Sequence, residues 1–316
     1  MHILFCGDAF PDGPEYLRRR LPLDTGDELI VCPEEDMCPM LAGVDVVIPR
    51  MRCVGRREME CGNFRLVQQW GAGLEGVDLV AAREKGVFVA NVPATGGNAE
   101  SVAEHALLMI LALLRDLPAA QAKTRSGILG APIGKTLRGR TVCLYGLGAI
   151  ALPLALRLKV FGVRLIGVTR NPTAAKAETF KLDECFSVQE RDQAFFETDI
   201  LILCVRYFEE MRNTISTHAL KSLRAGAYLI NIARGGLVDN DALYDALISG
   251  HLAGAGLDVF AREPVPQEEP LLTLPNVIVT PHIAGVTEDS FRDIAETVAL
   301  NIERLRQGQA PLHQAF

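Results

Sequence analysis

Three polar side chains of different chemistry each come shortly after an apolar, strand-like run in the second half of the chain. They are Arg234 after Ala-Tyr-Leu-Ile-Asn-Ile-Ala, Glu263 after Gly-Ala-Gly-Leu-Asp-Val-Phe, and His282 after Val-Ile-Val-Thr-Pro. A guanidinium can hold a carboxylate and polarise a neighbouring carbonyl oxygen. An imidazole can give or take a proton near neutral pH, and a carboxylate on its other nitrogen fixes its tautomer. Because the carboxyl ends of parallel strands share one edge of a sheet, we expect the three to meet there.

Each of these residues, taken alone, also fits an ordinary structural role. A histidine after a strand is often structural, Glu263-Pro264 fits a solvated loop, and Arg234-Gly-Gly fits a turn. Their joint occurrence in one domain favours the catalytic interpretation.

A glycine-rich segment in the middle of the chain predicts a strand, a tight turn and the start of a helix. Residues 141–151, Thr-Val-Cys-Leu-Tyr-Gly-Leu-Gly-Ala-Ile-Ala, match the Gly-x-Gly-x-x-Gly/Ala phosphate-binding turn. Gly146 permits the turn, Gly148 lets the backbone approach a pyrophosphate, and Ala151 lets the helix pack closely on the strand. The free N–H groups and the helix dipole then hold the phosphates. A plain glycine turn and an S-adenosylmethionine turn of a methyltransferase are the alternatives.

The end of the next predicted strand bears on which dinucleotide binds. NAD sites usually carry Asp or Glu there, to bind the ribose 2′-hydroxyl. Residues 163–172 contain no acid, and Thr169 takes its place with Arg170 directly after it. Because a guanidinium can bind a 2′-phosphate that a carboxylate would repel, we expect NADP, with NAD possible. The alternative is that Arg170 is a solvated surface residue.

Together these features favour carbonyl reduction with a nicotinamide cofactor. Protonated His282 would give its proton to the keto oxygen of a small 2-keto acid while the cofactor delivers hydride. In the reverse direction neutral His282 would take the hydroxyl proton. The sequence does not name the acid.

Four segments carry a resemblance to a known family. Residues 98–104 (Asn-Ala-Glu-Ser-Val-Ala-Glu), 231–239, 256–264 and 280–285 (Thr-Pro-His-Ile-Ala-Gly) are similar to signature segments of the D-isomer-specific 2-hydroxyacid dehydrogenases. The resemblance runs in order from Gln69 to Gly285. It implies an Arg–Glu–His triad at Arg234, Glu263 and His282.

The resemblance also implies a fold, an assembly and a reaction. The fold is α/β, with a Rossmann doubly wound parallel sheet inserted into a smaller flavodoxin-like domain. We expect residues 1–97 and 286–316 to form the substrate-binding domain and 98–285 the dinucleotide-binding domain. A homodimer is expected, and the reaction is that of a glyoxylate/hydroxypyruvate reductase or a phosphoglycerate dehydrogenase-like enzyme. The cofactor-binding residues expected from the turn and the family are Gly146, Gly148, Ala149, Ile150, Thr169, Arg170, Cys204, Val205, Ile232, Ala233, Asp258 and Gly285.

Two places are expected to bind the substrate. The family's substrate loop corresponds to residues 70–73, whose Ala72 and Gly73 N–H groups could approach a carboxylate, although a plain turn is the alternative. Arg50 opens a basic cluster after the predicted strand at residues 45–49 and could meet an anionic substrate. We interpret Arg52, Arg56 and Arg57 as solvated.

The chain departs from the family after the predicted strand at residues 199–205. Arg206-Tyr207 stand where relatives often have a Leu-Pro-Leu-Thr-like run, which could place either residue near the pocket. The turn also ends in Ala151 rather than the more frequent Gly.

The elements needed to position these residues follow from an alternation of strand-like and helical runs, which is typical of parallel sheets covered by helices on both faces. A long apolar helix is expected from Asn98. The last helix, at residues 288–306, is expected to pack on the first domain. The predicted strands cover residues 2–7, 28–32, 45–49, 64–70 and 87–92, then 141–146, 163–169, 199–205, 227–233, 254–259 and 277–280.

Composition limits the partners that we expect. The 316 residues are 49% hydrophobic with a net charge of −7, which disfavours nucleic acid as a main partner. The apolar run at 106–114 is shorter than the roughly 20 residues of a membrane helix, and the N-terminus lacks a signal-peptide pattern. Because the eight cysteines form no Cys-x-x-Cys pair, we expect neither a disulfide framework nor a metal site. A soluble cytoplasmic protein is therefore expected.

The main rival to an enzyme is a binding module of the same fold, because some relatives act as cofactor-sensing scaffolds with little turnover. The complete triad argues against that alternative. A methyltransferase would be excluded by nicotinamide binding.

Overall fold

The computed structural model describes residues 1–22, 26–32 and 36–316. The chain divides into two compact units. Unit 1 contains residues 1–98 and 286–316, and unit 2 contains residues 99–285.

Unit 1 is built on a parallel sheet with strand order β2-β1-β3-β4-β5. Its strands are mostly apolar runs of three to five residues. They are β1 (His2–Cys6), β2 (Glu28–Cys32), β3 (Val46–Ile48), β4 (Leu66–Gln68) and β5 (Phe88–Ala90). The helices of this unit are α1 (Gly13–Arg18), α2 (Arg56–Cys61), α3 (Leu79–Lys85) and α11 (Glu288–Arg306).

Alternate residues of the unit 1 strands enter two separate cores. Ile3 and Phe5 of β1 face α1 and α11, whereas Leu4 and Cys6 face α2 and α3. Each fully buried large aliphatic or aromatic side chain contributes about 1.5–3 kcal/mol. The sheet is therefore held from both faces, as a parallel sheet requires.

Helix α11 packs on unit 1 through one apolar stripe. Its buried residues recur at helical spacing, from Phe291 and Ile294 to Val298 and Ile302. The Thr287 side chain caps its first turn by accepting from the Ser290 N–H. This end of the chain therefore completes the first unit's core, where it was expected to pack.

Unit 2 carries a larger parallel sheet, with strand order β12-β11-β10-β9-β6-β7-β8. The order reverses at the β9–β6 neighbours, which is the switch point where doubly wound sheets bind ligands. The strands are β6 (Thr141–Tyr145), β7 (Arg164–Thr169), β8 (Glu184–Ser187), β9 (Ile200–Leu203), β10 (Ala227–Asn231), β11 (Leu252–Leu257) and β12 (Val277–Val279).

Helices cover both faces of the unit 2 sheet. Val142 and Leu144 of β6 face α4 and α6, and Cys143 and Tyr145 face α8, α9 and α10. The expected α/β fold with a doubly wound sheet is thereby confirmed. The helices are α4 (Gly97–Leu114), α5 (Leu117–Arg125), α6 (Ala151–Val160), α7 (Ala174–Thr179), α8 (Arg191–Phe196), α9 (Thr217–Ser222) and α10 (Asn240–Ile248).

The strand predictions were right in position but too long at several ends, and the strand predicted at 254–259 begins two residues earlier, at Leu252. The run expected at 64–70, for example, pairs only over Leu66–Gln68, because the chain then turns to enter the Trp70–Gly73 loop. Edge strand β8 was missed. Its sequence, Glu-Cys-Phe-Ser, is too short and too polar to show an apolar period.

Helix α4 is long and apolar enough to cross a membrane. Among the described residues, no other helix meets both conditions. Half of it is buried inside the protein. The uninterrupted apolar run at 106–114 is only part of this helix, which extends back to Gly97.

Cys38 and Cys61 form one disulfide, although the sequence predicts no disulfide framework. Their Cα atoms lie 5.3 Å apart, 23 residues apart in sequence. The contact arises because α2 ends beside the short turn at Cys38–Met40, and packing of this kind leaves no signal in cysteine spacing. The cytoplasmic location stays a prediction. The cysteine pattern no longer supports it, because the chain contains a disulfide.

Candidate functional site

The three predicted catalytic residues follow three neighbouring strands of the unit 2 sheet. Arg234 follows β10, Glu263 follows β11 and His282 follows β12, and these strands lie side by side in the order β12-β11-β10. All are parallel, so their carboxyl ends share one edge.

Glu263 and His282 are joined directly. The His282 Nδ1 atom lies 2.7 Å from Glu263 Oε2, and Glu263 Oε1 accepts from the Phe260 N–H at 2.8 Å. A carboxylate only accepts, so the neutral imidazole places its proton on Nδ1. The Nε2 atom is then the ring nitrogen suited to proton exchange with a substrate.

The environment of Glu263 keeps its carboxylate ionised. Burial acts to raise the pKa, but the His282 hydrogen bond and charge, the Phe260 N–H and the Arg234 charge outweigh it, so the pKa of Glu263 lies below its usual value. Arg234 is thus one of the charges that favour the ionised form of Glu263. Glu263 is therefore available as an ionised acceptor for His282 Nδ1.

The Arg234 loop is shaped by a buried amide that sequence reasoning did not assign. Asn231, 1% exposed, accepts from the Ala233 N–H at 3.1 Å and donates to the Arg234 carbonyl at 2.9 Å. Its signal in the sequence is a polar residue ending an apolar strand. Arg234 Nη1 also donates to the Ala233 carbonyl at 2.8 Å.

Gly235 lets the Arg234 loop touch the Glu263 loop. A Cβ at this position would lie 1.8 Å from the Phe260 carbonyl carbon and 2.2 Å from the Ala261 nitrogen. Those atoms are backbone and cannot move aside independently. Only glycine therefore allows the Arg234 and Glu263 loops to approach this closely.

Asp258 organises the His282 segment. Its carboxylate, 1% exposed, accepts from Thr280 Oγ1 at 2.6 Å and from the Ile283 and Ala284 N–H groups at 2.8 and 2.9 Å. These bonds hold His282 at φ +58°, a left-handed conformation that a non-glycine residue adopts only when its surroundings impose it. The family suggested that Asp258 lies near the nicotinamide, and the structure shows what it contacts within this chain.

His105 and Thr280 extend this network and were not assigned from the sequence. His105 Nε2 lies 3.0 Å from Thr280 Oγ1 and 3.6 Å from the Asp258 carboxylate. The available signal was that His105 directly follows the 98–104 segment and that Thr280 opens the 280–285 segment. The network ties helix α4 to the end of β12.

The glycine turn has the shape that a dinucleotide pyrophosphate requires. Gly146, at φ +102°, donates to the Val168 carbonyl at 2.9 Å, and a Cβ there would lie 2.7 Å from the Val205 backbone. A Cβ at Gly148 would meet no atom within 4 Å, so the backbone is open on that side. Helix α6 starts three residues later, with its N-terminal dipole at the turn. These residues therefore fit a dinucleotide.

The other predicted cofactor residues lie along the same carboxyl edge. Ala149 is exposed and Ile150 half-buried at the helix start, Thr169 ends β7, and Arg170 is exposed. Val205 and Gly285 are half-buried. Cys204, Ile232 and Ala233 are buried at 5–7% exposure, so they would present backbone rather than side chains to a ligand.

Arg50 is a buried cation at the carboxyl end of β3 in unit 1. It is 4% exposed, its Nε donates to the Cys6 carbonyl at 2.5 Å, and its guanidinium lies 4.6 Å from the Phe5 ring centre. The Nη2 atom has no hydrogen-bond partner among the described residues. Burial lowers the Arg50 pKa to about 10. A buried guanidinium with an unused donor is suited to an anionic ligand.

The predicted loop residues Ala72 and Gly73 are half-buried beyond β4. The Ala72 carbonyl accepts from Asn91 Nδ2 at 2.7 Å, and Gln69 connects this loop to Arg50 by donating to its carbonyl at 3.1 Å. Arg50, Ala72 and Gly73 thus belong to one sheet edge of unit 1, and the triad belongs to unit 2.

Comparison with known proteins identifies relatives of this arrangement. Residues 107–284 match the family described as D-isomer specific 2-hydroxyacid dehydrogenase, NAD binding domain. A glyoxylate reductase from Thermococcus gammatolerans is 34% identical, covering 98% of this chain and 94% of that protein. A hydroxypyruvate reductase from Thermotoga maritima is 35% identical, covering 83% of this chain and 84% of that protein.

A solved structure is similar over the whole chain. It is an NADPH-dependent glyoxylate/hydroxypyruvate reductase from Sinorhizobium meliloti in complex with citrate, with a TM-score of 0.83 and 30% identity. The similarity covers 99% of this chain and 97% of that one.

Substituting Gly235 with alanine should separate the Arg234 and Glu263 loops. We expect Gly235→Ala to lower kcat by at least tenfold, because a displaced Arg234 or Glu263 no longer meets the reaction geometry. Gly55→Ala is the matched control, since its Cβ would meet only the flexible Glu58 carboxylate at 3.4 Å. Unchanged steady-state kinetics in Gly235→Ala would contradict the close approach.

Glu263 should contribute stability that depends on pH. Because its pKa is lowered on folding, the ionised form stabilises the protein above the usual value of 4.5, and that stability is lost as the pH falls through the lowered value. We expect Glu263→Gln to lower the free energy of unfolding at pH 7, and the difference from wild type to shrink below about pH 4.5.

Urea denaturation at several pH values measures this difference. Glu268→Gln, at an exposed position in the same loop, is the control. If the difference in unfolding free energy between wild type and Glu263→Gln grew as the pH fell, the pKa of Glu263 would be raised by folding rather than lowered.

Proposed function

The chain belongs to the D-isomer-specific 2-hydroxyacid dehydrogenase family, and we propose that it works as a reductase of small 2-keto acids, with glyoxylate and hydroxypyruvate as the first candidates. The observation that carries this proposal is the Glu263–His282 pair at the same sheet edge as Arg234. The named reductases among its relatives support the substrate class. The complete triad argues against a cofactor-sensing scaffold with little turnover.

Each triad residue has a distinct task in this reaction. Arg234 holds the substrate carboxylate and polarises the adjacent keto oxygen. Protonated His282 gives its Nε2 proton to that oxygen during reduction, and neutral His282 takes the proton back during oxidation. Glu263 stabilises the charged imidazolium and keeps the ring oriented through Nδ1.

The dinucleotide would be held by the glycine turn after β6. Gly146 permits the turn and Gly148 leaves the backbone open to a pyrophosphate, and the N–H groups at the start of α6 are oriented to bind it. When bound, the reduced nicotinamide supplies the hydride that the keto carbon accepts. Asp258 keeps the His282 segment in its left-handed conformation while the proton moves.

NADP(H) is the proposed form of the cofactor. β7 ends in Thr169 and is followed by Arg170, so no carboxylate stands where it would repel a 2′-phosphate. The exposed Arg170 side chain can bind that phosphate. The NADPH dependence of the Sinorhizobium meliloti relative agrees with this proposal.

Arg50, Ala72 and Gly73 are proposed to contact the substrate's anionic groups. The unused Arg50 Nη2 donor supports this role, as do the Ala72 and Gly73 N–H groups, which make no backbone hydrogen bond within the described residues. The net charge of −7 agrees with a small acid rather than nucleic acid as the partner.

A homodimer is proposed as the working assembly. The segment between α5 and β6 exposes Leu129 and Ile133 at 99% and 97% of their surfaces. Exposed apolar side chains of this kind mark association surfaces. A second copy of this chain is the proposed occupant.

Replacing His282 tests the reaction. With glyoxylate, hydroxypyruvate and pyruvate as substrates, we expect wild type to oxidise reduced nicotinamide, followed by its absorbance, and His282→Ala to lose about 10²–10⁴ in kcat. Cofactor affinity should be unchanged. His218→Ala, at an exposed site on α9, is the control. Wild-type kcat in His282→Ala would remove that residue from the mechanism.

Replacing Arg170 tests the cofactor preference. We expect Arg170→Ala to raise the KM for NADPH about tenfold and to change the KM for NADH little, because only NADPH carries the 2′-phosphate. Equal changes for both cofactors would defeat the proposed preference.

Charge at the exposed apolar segment tests the dimer. We expect sedimentation equilibrium to find dimers for wild type and monomers for Leu129→Asp combined with Ile133→Asp, since burying two carboxylates opposes association. Val160→Asp is the control, because Val160 is 86% exposed at the end of α6. A monomeric wild type, or a dimeric double variant, would count against this surface.

A further inference from the structure

Two arginine guanidinium groups contact the same exposed aromatic ring in unit 2. The Arg170 and Arg206 guanidinium carbons lie 5.5 and 5.4 Å from the centre of the Phe208 ring. Phe208 itself is 41% exposed. We call these three residues the Phe208 cluster.

The cluster joins two strand ends that flank the glycine turn. Arg170 comes directly after β7, and Arg206 comes three residues after β9, with β6 lying between these strands in the sheet. Gly146 is in contact with both sides, since it donates to the Val168 carbonyl and abuts the Val205 backbone. The cluster therefore lies beside the turn proposed to hold the pyrophosphate.

Neither cation of the cluster is neutralised by a carboxylate among the described residues. Other exposed arginines of this unit are paired, such as Arg212 with Glu209 and Arg224 with Asp199. Glu209, the nearest acid in sequence on the same loop, already accepts from Arg212. The cation–π contacts with Phe208 offset part of the repulsion between the two like charges. An anion between them would remove the remainder.

The charge of a ribose 2′-phosphate suits this pair better than a single arginine. A phosphomonoester carries about −1.5 to −2 at pH 7 and offers three acceptor oxygens. Two guanidinium groups on one ring can bind those oxygens from different sides through charge-assisted hydrogen bonds. The position of Arg206 is one where the chain departs from the family's Leu-Pro-Leu-Thr-like run.

We propose that Arg206 and Phe208, together with Arg170, form the site for the 2′-phosphate of NADP(H). Arg206 is thus a second specificity-determining residue, contributed by the β9 end, and Phe208 fixes the spacing of the two cations. This inference rests on the proposed preference for NADP(H).

Two nucleotide fragments that differ only by the 2′-phosphate test the site without turnover. Calorimetric titration of the full-length protein with adenosine 2′,5′-bisphosphate and with 5′-AMP isolates that group. We expect Arg206→Ala to weaken the bisphosphate about tenfold or more and to leave 5′-AMP within about twofold. Phe208→Leu should weaken the bisphosphate by a smaller factor, because both cations remain but lose their shared ring.

Arg138→Ala is the matched control. Arg138 is exposed and precedes β6, at the opposite edge of the same sheet, so the net charge changes equally without touching the cluster. We expect it to leave both affinities unchanged. A bisphosphate loss in Arg138→Ala as large as in Arg206→Ala would mean general electrostatic attraction and would overturn the site.

The outcomes separate this inference from the proposed function. If wild type prefers the bisphosphate and Arg170→Ala removes that preference while Arg206→Ala does not, NADP(H) stands and the role of Arg206 is wrong. If wild type binds both fragments equally, the proposed NADP(H) preference is wrong, and so is the proposed 2′-phosphate site at the Phe208 cluster. Keto acid reduction with NADH would survive either result.

Discussion

The buried carboxylate of Asp258 is the interaction on which the candidate active site depends. It receives two successive backbone N–H groups and one hydroxyl, all from the segment around His282. Burying a carboxylate is energetically unfavourable unless each oxygen accepts a hydrogen bond. Both Asp258 oxygens accept hydrogen bonds, and the donors belong to the segment that contains His282. The energy that keeps the charge buried therefore also maintains the left-handed conformation of His282.

A second constraint is the contact between two loop backbones at Gly235. Arg234 and Glu263 arise from neighbouring strands, and strand spacing alone would leave their loops free to diverge. Because Gly235 has no Cβ, the backbones of the two loops can pack directly against each other. Asn231 fixes the turn that precedes Gly235. The site is thus assembled from backbone geometry, and the side chains acquire their directions from it.

Positive charge is concentrated on sheet edges of an otherwise acidic chain. The net charge is −7, yet Arg170, Arg206 and Arg234 all follow strands at the carboxyl edge of unit 2. Arg50 stands at the corresponding edge of unit 1. Local cationic groups on an anionic protein favour small anionic ligands over polyanions, because the overall field repels an extended negative chain.

Much of this was accessible from the sequence, because it is local. Apolar runs of strand length, the Gly146–Gly148 spacing and polar residues after strands are patterns within a few positions of one another. They determined the α/β fold, the dinucleotide turn and the choice of Arg234, Glu263 and His282. Tertiary structure alone decided the Cys38–Cys61 bridge, the His105–Thr280–Asp258 network and the meeting of Arg170 with Arg206 on Phe208. These contacts join residues that the chain separates by 22 to 175 positions, or bring two loop ends onto one ring, and only the packing of whole elements sets such distances.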